Sequence, residues 1–319
     1  TVLPEFGLGR VFMGQVMAIA VLAVMTAWAA VEPLGRWRRL LAAVLVGLPY
    51  LMVSYYAQAA FKELAAATFL LAFIVALPAL TPLPAKGRLR ATVPLIILLL
   101  GIIFTYSFPG LGWPLAALLA WLIADPAFRQ RLKPASIGPV LRKPAVLGGI
   151  AVALGLLAVL IFVGPFGFGD SFSEVATSDA FGPVSVIEGL GVWLTSDYRL
   201  AGSLDTPVPG LMGAISVAAL LVALWWWRSE PRSPYPLGFL ACAAIYVISL
   251  PWVGDYSLAK ALVIAAPVTM VVILTALLSG PRQGWKPSQG MEFGAWVTLA
   301  ALFVVGAAAS SLIVLRDAS

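Results

Sequence analysis

The sequence predicts an all-α, polytopic transmembrane helical bundle of about ten spans. Of its 319 residues, 61% are hydrophobic and 11% are charged, whereas a soluble domain carries about 25% charged residues. The apolar runs are about 20 residues long, which is the length of a membrane-crossing helix rather than the shorter alternating strand of a barrel. Basic residues also gather in alternate connections, as they do in multi-pass membrane proteins.

The predicted spans follow the apolar runs in chain order. They are roughly 11–31, 40–58, 63–81, 91–107, 111–124, 145–163, 208–227, 236–253, 258–279 and 291–314. The fifth is short and lies between Pro109 and Pro114, so we expect it to be tilted, re-entrant or broken. These spans divide the chain into an N-terminal membrane bundle of about six spans (1–163), a loop (164–207) and a C-terminal membrane bundle of about four spans (208–319).

The charges predict which face of the membrane each connection occupies. One set of alternate connections holds fifteen of the twenty basic residues, and the other set holds ten of the fourteen acids. The basic set is Arg36, Arg38, Arg39, Lys86, Arg88, Arg90, Arg129, Arg131, Lys133, Arg142, Lys143, Arg228, Arg232, Arg282 and Lys286. Because Lys and Arg accumulate on the cytoplasmic side, the N-terminus and the 164–207 loop are predicted to be extracytoplasmic. The predicted location is the plasma membrane.

The composition restricts the chemistry that the protein can use. The chain has no histidine and a single cysteine, Cys242, within an apolar run. A disulfide within the chain and a zinc or haem site built on these residues are therefore excluded. No metal site and no cofactor are predicted, and any metal would be a hard divalent ion held by carboxylates. The basic clusters serve topology, so nucleic-acid binding is not expected; the basic segment 127–143 is expected to contact anionic lipids.

A polar cluster occupies the tight turn between the second and third predicted spans. It runs from Ser54 through Tyr56 to Gln58 and continues at Lys62 and Glu63. Charged residues at a membrane surface are often solvated or snorkelling. The functional interpretation is that Lys62 binds a phosphate while Glu63 orients a substrate hydroxyl.

A second outer cluster begins at Tyr106 and ends at Gly110. Pro109 and Gly110 could simply end a helix, and Tyr106 could be an aromatic-belt residue. The alternative is that Tyr106 provides a stacking platform for a sugar or a prenyl chain.

The long loop contains six carboxylates and one cation, Arg199. Most of these carboxylates are expected to be solvated. Asp197, Tyr198 and Arg199 are the strongest candidates in the loop, because an acid and a cation two residues apart beside an aromatic ring could bind a polar ligand jointly.

The start of the ninth predicted span carries Asp255, Tyr256 and Lys260. If the helix has begun there, Tyr256 and Lys260 share a face because they are four residues apart. An unpaired charge one turn into an apolar run costs roughly 2–3 kcal/mol. Lys260 is therefore a functional candidate, with Asp255 or a bound phosphate as its expected partner.

Segments of these outer clusters resemble a known class of enzyme. SYYAQAAFKELAAATFLLAF, YSFPGLGWPLAALLAW, FGPVSVIEGLGVW followed by SDYRL, and GDYSLAKALVIAAPV resemble the C-terminal part of large actinobacterial-type integral membrane glycosyltransferases of the GT-C class. The resemblance covers most of residues 40–280. It implies a bilayer-embedded enzyme that transfers a sugar from a polyprenyl-phosphate donor to an extracytoplasmic acceptor.

The resemblance also implies a catalytic acid in the first outer loop of the complete protein. Only TVLPEFGLGR, with Glu5, precedes the first predicted span. The expectation is therefore a fragment or processed chain that lacks the catalytic N-terminal loop, or a Glu5 without a catalytic role.

The chemistry of such a transfer gives the candidates their roles. A carboxylate must deprotonate the acceptor, and a cation at the outer headgroup level must bind the donor phosphate. The candidate catalytic acids are Glu63, Asp197 and Asp255, and the candidate substrate-binding residues are Lys62, Arg199, Lys260, Tyr56, Tyr106, Tyr198 and Tyr256.

Two other functions remain open. One is a polytopic transporter or permease, although the span centres carry almost no ionisable residues and no paired halves are visible. The other is a non-catalytic membrane assembly or lipid-handling subunit.

Overall fold

All regular elements in the described part of the chain are helical. A computed structural model describes residues 8–80, 85–126, 184–195, 207–251, 253–281 and 291–318. The α-helices in these ranges are α1 Leu8–Ala30, α2 Arg36–Gly47, α3 Tyr50–Ala57, α4 Phe61–Ala76, α5 Ala85–Tyr106, α6 Gly112–Ala124, α7 Pro207–Trp227, α8 Pro234–Ser249, α9 Asp255–Ser279 and α10 Met291–Ala318. Short 3₁₀ helices cover Leu77–Leu80, Phe108–Leu111 and Val186–Leu190.

The described residues confirm the all-α prediction, and the length and composition of these helices fit a membrane protein. Within the described ranges, five segments are long and apolar enough to cross a membrane: Arg10–Ala30, Phe61–Leu80, Val208–Trp227, Asp255–Ser279 and Phe293–Asp317. Three apolar segments are shorter, Thr92–Tyr106, Phe108–Ala124 and Pro234–Ser249. The span predicted at 145–163 lies outside the described residues, so the count of about ten spans stays a prediction.

The second predicted span, 40–58, is broken rather than continuous. Helices α2 and α3 meet at an angle of 52°, at Leu48 and Pro49. Proline has no N–H to continue the helix and disfavours helical backbone at the preceding residue. The Leu48 carbonyl accepts a hydrogen bond of 3.0 Å from the Ser311 hydroxyl of α10, so a neighbouring helix satisfies a carbonyl at the break. The pair counts as a sixth span if it is taken as one.

Helix α9 is the centre of the bundle. Its residues from Ala266 to Leu277 are all buried, and it packs against α2, α4, α7 and α8. Outer helices expose large apolar side chains instead, such as Met17, Phe104 and Val305. Lipid tails are as apolar as these side chains. A helical bundle in a bilayer can therefore expose apolar side chains on its outer surface as well as bury them in its centre. Residues of both predicted membrane bundles share one hydrophobic core.

The C-terminal end of α9 is held by three other helices. The last carbonyls of a helix have no partner within it. Here Trp296 Nε1 donates to Leu277 O (3.0 Å), Arg38 Nη1 donates to Leu278 O (2.9 Å), and Trp226 Nε1 donates to Gly280 O (3.1 Å). The ends of α2, α7 and α10 that carry these donors therefore lie together. We call this the basic end of the bundle, defined by Arg36, Arg38, Arg39, Arg228 and Arg232.

The three tryptophans at 225–227 differ in their exposure and contacts. Trp225 is exposed, with the Arg228 guanidinium over its ring. Trp226 and Trp227 are buried, and Trp227 Nε1 donates to Val272 O at 2.9 Å. Two of the three indoles therefore fasten α7 to α9.

The described part of the predicted loop, 184–195, lies among the helices. It packs against α9, α7 and α3, and Val192 and Trp193 are fully buried. Gly191 adopts a left-handed conformation with φ of 91°, and a Cβ there would collide with the sulfur of Met270. The Trp193 N–H donates to Ser310 Oγ at 2.8 Å. Non-helical backbone can lie inside a membrane bundle when protein encloses it in this way; the remainder of 164–207 lies outside the described residues.

Candidate functional site

The starts of α4 and α9 bring together two of the predicted clusters. Helix α4 begins at Phe61 and α9 begins at Asp255, at the end of the bundle opposite the basic end. Glu63 and Lys260 lie within the first two turns of these helices. We call this region the site end.

A nearly buried ion pair joins the two helices. Lys260 Nζ lies 3.0 Å from Glu63 Oε1, and the side chains are 16% and 8% exposed. Lys260 Nζ also lies 4.0 Å from the centroid of the Tyr256 ring, which confirms that residues 256 and 260 share a helical face. The sequence predicted Asp255 or a bound phosphate as the partner of Lys260. Asp255 was wrong, because Glu63 pairs with Lys260, and the bound phosphate stays a prediction. Asp255 is at the first position of α9, whereas Glu63 on α4 faces the ammonium.

The second predicted cluster reaches the same place from α5. Tyr106, the last residue of α5, is close enough to Glu63 and Tyr256 to interact with both electrostatically. Its ring packs edge-on against Trp113, with 5.7 Å between centroids. The Tyr256 ring therefore lies beside the Lys260 ammonium, and Tyr106 is near enough to Glu63 to interact with it electrostatically, so three predicted clusters meet at the site end.

Backbone strain is concentrated in the turns beside this pair. Among the described residues, Ala59 and Ser107 are the non-glycine residues with positive φ, at 56° and 60°. Ala59 precedes α4 by two positions, and Ser107 directly follows Tyr106. A left-handed conformation costs a residue with a Cβ roughly 1–2 kcal/mol, and such strain is enriched at functional sites. Both turns position residues of the candidate site.

The other predicted site residues do not join the pair. Lys62 is exposed. Asp255 is close enough to Tyr246 on α8 to interact with it electrostatically. Tyr56 packs in a hydrophobic cluster with α9 and the 184–195 segment, and its hydroxyl has no hydrogen-bond partner among the residues that the structure describes. Glu5, Asp197, Tyr198 and Arg199 lie outside the described residues, so their predicted roles stay predictions.

Glu188 is a buried acid that sequence reasoning expected to be solvated. It is fully buried, and its Oε1 accepts a 3.0 Å hydrogen bond from the Ser185 N–H. The Ser185 hydroxyl in turn accepts from the Ile187 N–H at 3.3 Å, completing a capping box. Within the described ranges Oε2 has no hydrogen-bond partner, and burial raises the pKa of Glu188 to about 7. The spacing of Ser185 and Glu188 was the available signal, since a Ser three residues before a Glu marks such a box.

The arrangement supplies charge and hydrogen bonding rather than metal ligation. Among the described residues, no three acidic or thiol side chains converge on one point. The site offers one carboxylate, one ammonium and two phenols at the level where the helices leave the apolar core. A carboxylate can take a proton from a hydroxyl, and an ammonium can bind a phosphate.

Comparisons with protein-family models, with curated proteins and with solved structures found no match to this chain. The resemblance to GT-C glycosyltransferases therefore rests on the sequence segments quoted above.

Proposed function

We propose that the protein is a membrane glycosyltransferase, or a fragment of one, that transfers a sugar from a polyprenyl-phosphate donor to an extracytoplasmic acceptor. The observation that supports this most directly is the Glu63–Lys260 pair, joined at 3.0 Å and largely withdrawn from solvent. A base and a phosphate-binding cation are the two groups that this transfer requires. Both lie near the ends of spans, at the depth where the phosphate of a lipid-linked sugar would sit.

The chemistry would proceed by exchange of partners. The donor phosphate takes the Lys260 ammonium, which leaves the Glu63 carboxylate to accept the proton of the acceptor hydroxyl. The hydroxyl oxygen attacks the anomeric carbon, and the bond from that carbon to the phosphate oxygen breaks. Polyprenyl phosphate leaves with the electron pair, and attack from the opposite face inverts the anomeric configuration. Lys62 and Arg199 are the further cations proposed to contact phosphate.

An apolar surface next to the site supports a lipid-linked donor. Phe104 is 87% exposed and Ile97 is 61% exposed, and both lie on α5, which ends at Tyr106. A prenyl chain in the bilayer could contact this helix while its phosphate reached Lys260. Tyr106 would lie where the chain meets the head group, which suits an amphipathic ring.

The proposed topology follows from the two ends of the bundle. With the basic end in the cytoplasm, about ten spans would place the site end and the 164–207 loop outside the plasma membrane. The helix directions are consistent with this, because Arg36, Arg38, Arg39, Arg228 and Arg232 share one end with the start of α5.

A transporter or permease is the second candidate, and one feature favours it. Transporters often bind substrate between broken helices whose irregular backbone is enclosed by protein. The 52° break between α2 and α3 and the buried segment 184–195 are elements of this kind. The Glu63–Lys260 pair would then be part of a substrate or ion pathway.

Reconstitution distinguishes the two functions. The full chain in sealed liposomes is given polyprenyl-phosphate-linked sugars and candidate acceptors, and both product formation and solute uptake are measured. We expect product with the wild-type chain and at least a hundredfold loss with Glu63→Gln and with Lys260→Gln. Arg316→Gln is the matched control: it removes an exposed cation in the last turn of α10 and should retain activity. Uptake without product would replace the transferase with the transporter, and neither activity would refute both assignments for this chain.

A further inference from the structure

The arginines of the basic end divide into two groups. Arg38 and Arg39 form hydrogen bonds within the protein: Arg38 donates to Leu278 O and Arg39 donates to Trp28 O, at 2.9 Å each. Arg39 also lies over the Trp28 ring at 4.4 Å. These two side chains fasten helix ends, and no external ligand is needed to explain them.

Arg36 and Arg228 are arranged differently. The Arg36 guanidinium lies 5.5 Å from the ring centroid of Trp37, and that of Arg228 lies 4.8 Å from the ring centroid of Trp225. Both arginines are exposed, and Trp37 and Trp225 are 74% and 38% exposed. Neither arginine forms a salt bridge with a carboxylate of the described residues.

The two arginine–tryptophan pairs lie around one helix end. Arg38 fixes the start of α2 to Leu278 O, and Trp226 fixes the end of α7 to Gly280 O. Each of these anchoring residues is within two positions of one of the exposed arginines. The pairs therefore flank the last turn of α9, at the end of the bundle opposite the Glu63–Lys260 pair.

We propose that the Arg36–Trp37 and Arg228–Trp225 pairs bind the phosphate of an anionic phospholipid in the surrounding bilayer. Indole rings concentrate at the head-group level of membranes. A guanidinium stacked on a ring keeps its N–H edge available, and its fork geometry matches two phosphate oxygens. The helix ends here carry eight basic residues, because the start of α5 adds Lys86, Arg88 and Arg90 to the five arginines. They outnumber the four acids of the same ends, Glu32, Asp125, Glu230 and Glu292, so the local charge favours an anionic head group over a zwitterionic one.

Lipid titration of the purified full chain tests this proposal. Native mass spectrometry is used to measure the apparent Kd for phosphatidylglycerol and for phosphatidylcholine with identical acyl chains. The wild-type chain should prefer phosphatidylglycerol. The double variant Arg36→Gln/Arg228→Gln should lose at least tenfold in affinity for it and little for phosphatidylcholine. Arg316→Gln removes an equal kind of charge at the site end and should preserve the preference. Thermal unfolding and circular dichroism confirm that each variant is folded.

Two further measurements distinguish a site of defined geometry from non-specific charge attraction, and the binding of a lipid from the binding of free phosphate. The variant Arg36→Lys/Arg228→Lys retains the charge but not the fork, so we expect it to bind more weakly than the wild type and more tightly than the double glutamine variant. Soluble glycerol phosphate should compete only at concentrations far above those of the lipid. An unchanged lipid preference in the glutamine variant, an equal loss in Arg316→Gln, or equal binding of glycerol phosphate would each overturn the proposal.

Discussion

Replacing one member of the Glu63–Lys260 pair should destabilise the protein strongly. At 3.0 Å, two unit charges attract by about 5.5 kcal/mol if the effective dielectric constant is about 20. Much of this attraction offsets the desolvation of the two groups, so it is not a net stabilisation. When one partner is removed, the desolvation of the other is no longer compensated. We therefore expect Lys260→Met and Glu63→Met each to lower the free energy of unfolding by about 3–5 kcal/mol.

The double variant Lys260→Met/Glu63→Met should recover most of that loss. Methionine has nearly the length of both side chains and adapts to irregular packing. Replacing a buried ion pair by apolar side chains of similar volume is often neutral or stabilising. We expect the double variant to lie within about 1 kcal/mol of the wild type, whereas independent effects would sum to about 6–10 kcal/mol.

Unfolding in mixed detergent and sodium dodecyl sulfate, followed by circular dichroism, measures all four members of this cycle. Lys62→Met is the matched control, since Lys62 is adjacent in sequence but exposed, and it should leave the unfolding free energy unchanged. The double variant should be stable yet inactive in sugar transfer, which separates the role of the pair in folding from its role in chemistry. Additivity of the single variants within about 0.5 kcal/mol would refute the coupling inferred from the structure.

Three other substitutions test separate parts of the fold. Trp296→Phe removes the 3.0 Å hydrogen bond to Leu277 O and should cost about 1–3 kcal/mol, because it leaves a buried carbonyl without its partner; detergent unfolding measures it. Ala59→Gly relieves a left-handed backbone and should stabilise by up to about 1 kcal/mol in the same assay, and a destabilised variant would contradict the strain. Because the pKa of Glu188 is raised from 4.5 to about 7, its stabilising contribution is complete below pH 4.5 and is lost as pH rises through about 7. Glu188→Gln should flatten that part of the stability–pH profile, and an unchanged slope would show that another group titrates there.

The sequence was sufficient for features that depend on local spacing. Apolar run lengths predicted the helical membrane class, and the i, i+4 relation of Tyr256 and Lys260 predicted the contact that the structure shows at 4.0 Å. The short, proline-flanked apolar segment was also predicted, and it corresponds to the short apolar segment Phe108–Ala124; that it spans the membrane stays a prediction. Each of these features is determined by residues fewer than about twenty positions apart.

Features that depend on packing could not be predicted in the same way. Lys260 and its partner Glu63 are separated by nearly two hundred residues, and Asp255 was the nearer acid in sequence. The burial of Glu188 likewise follows from helices that close around 184–195, not from its polar surroundings in the sequence. The break at Pro49 could have been predicted from the proline itself. The continuous run of apolar residues indicated an unbroken span instead, because hydropathy does not account for the N–H that proline lacks.

The two ends of α9 differ in whether the groups bonded to the helix can be displaced by a ligand. At the C-terminal end, Trp296, Arg38 and Trp226 each donate to a different carbonyl, and a group engaged there is structural. At the N-terminal end, the charge of Lys260 is matched by one carboxylate from another helix, and a phosphate could replace that carboxylate without freeing a backbone group. A ligand that replaces Glu63 at the N-terminal end therefore breaks one ion pair and forms another with Lys260. A ligand that displaced a donor at the C-terminal end would instead expose the core of the bundle. A ligand that displaced Glu63 should consequently leave the contacts of Trp296 and Trp226 unchanged.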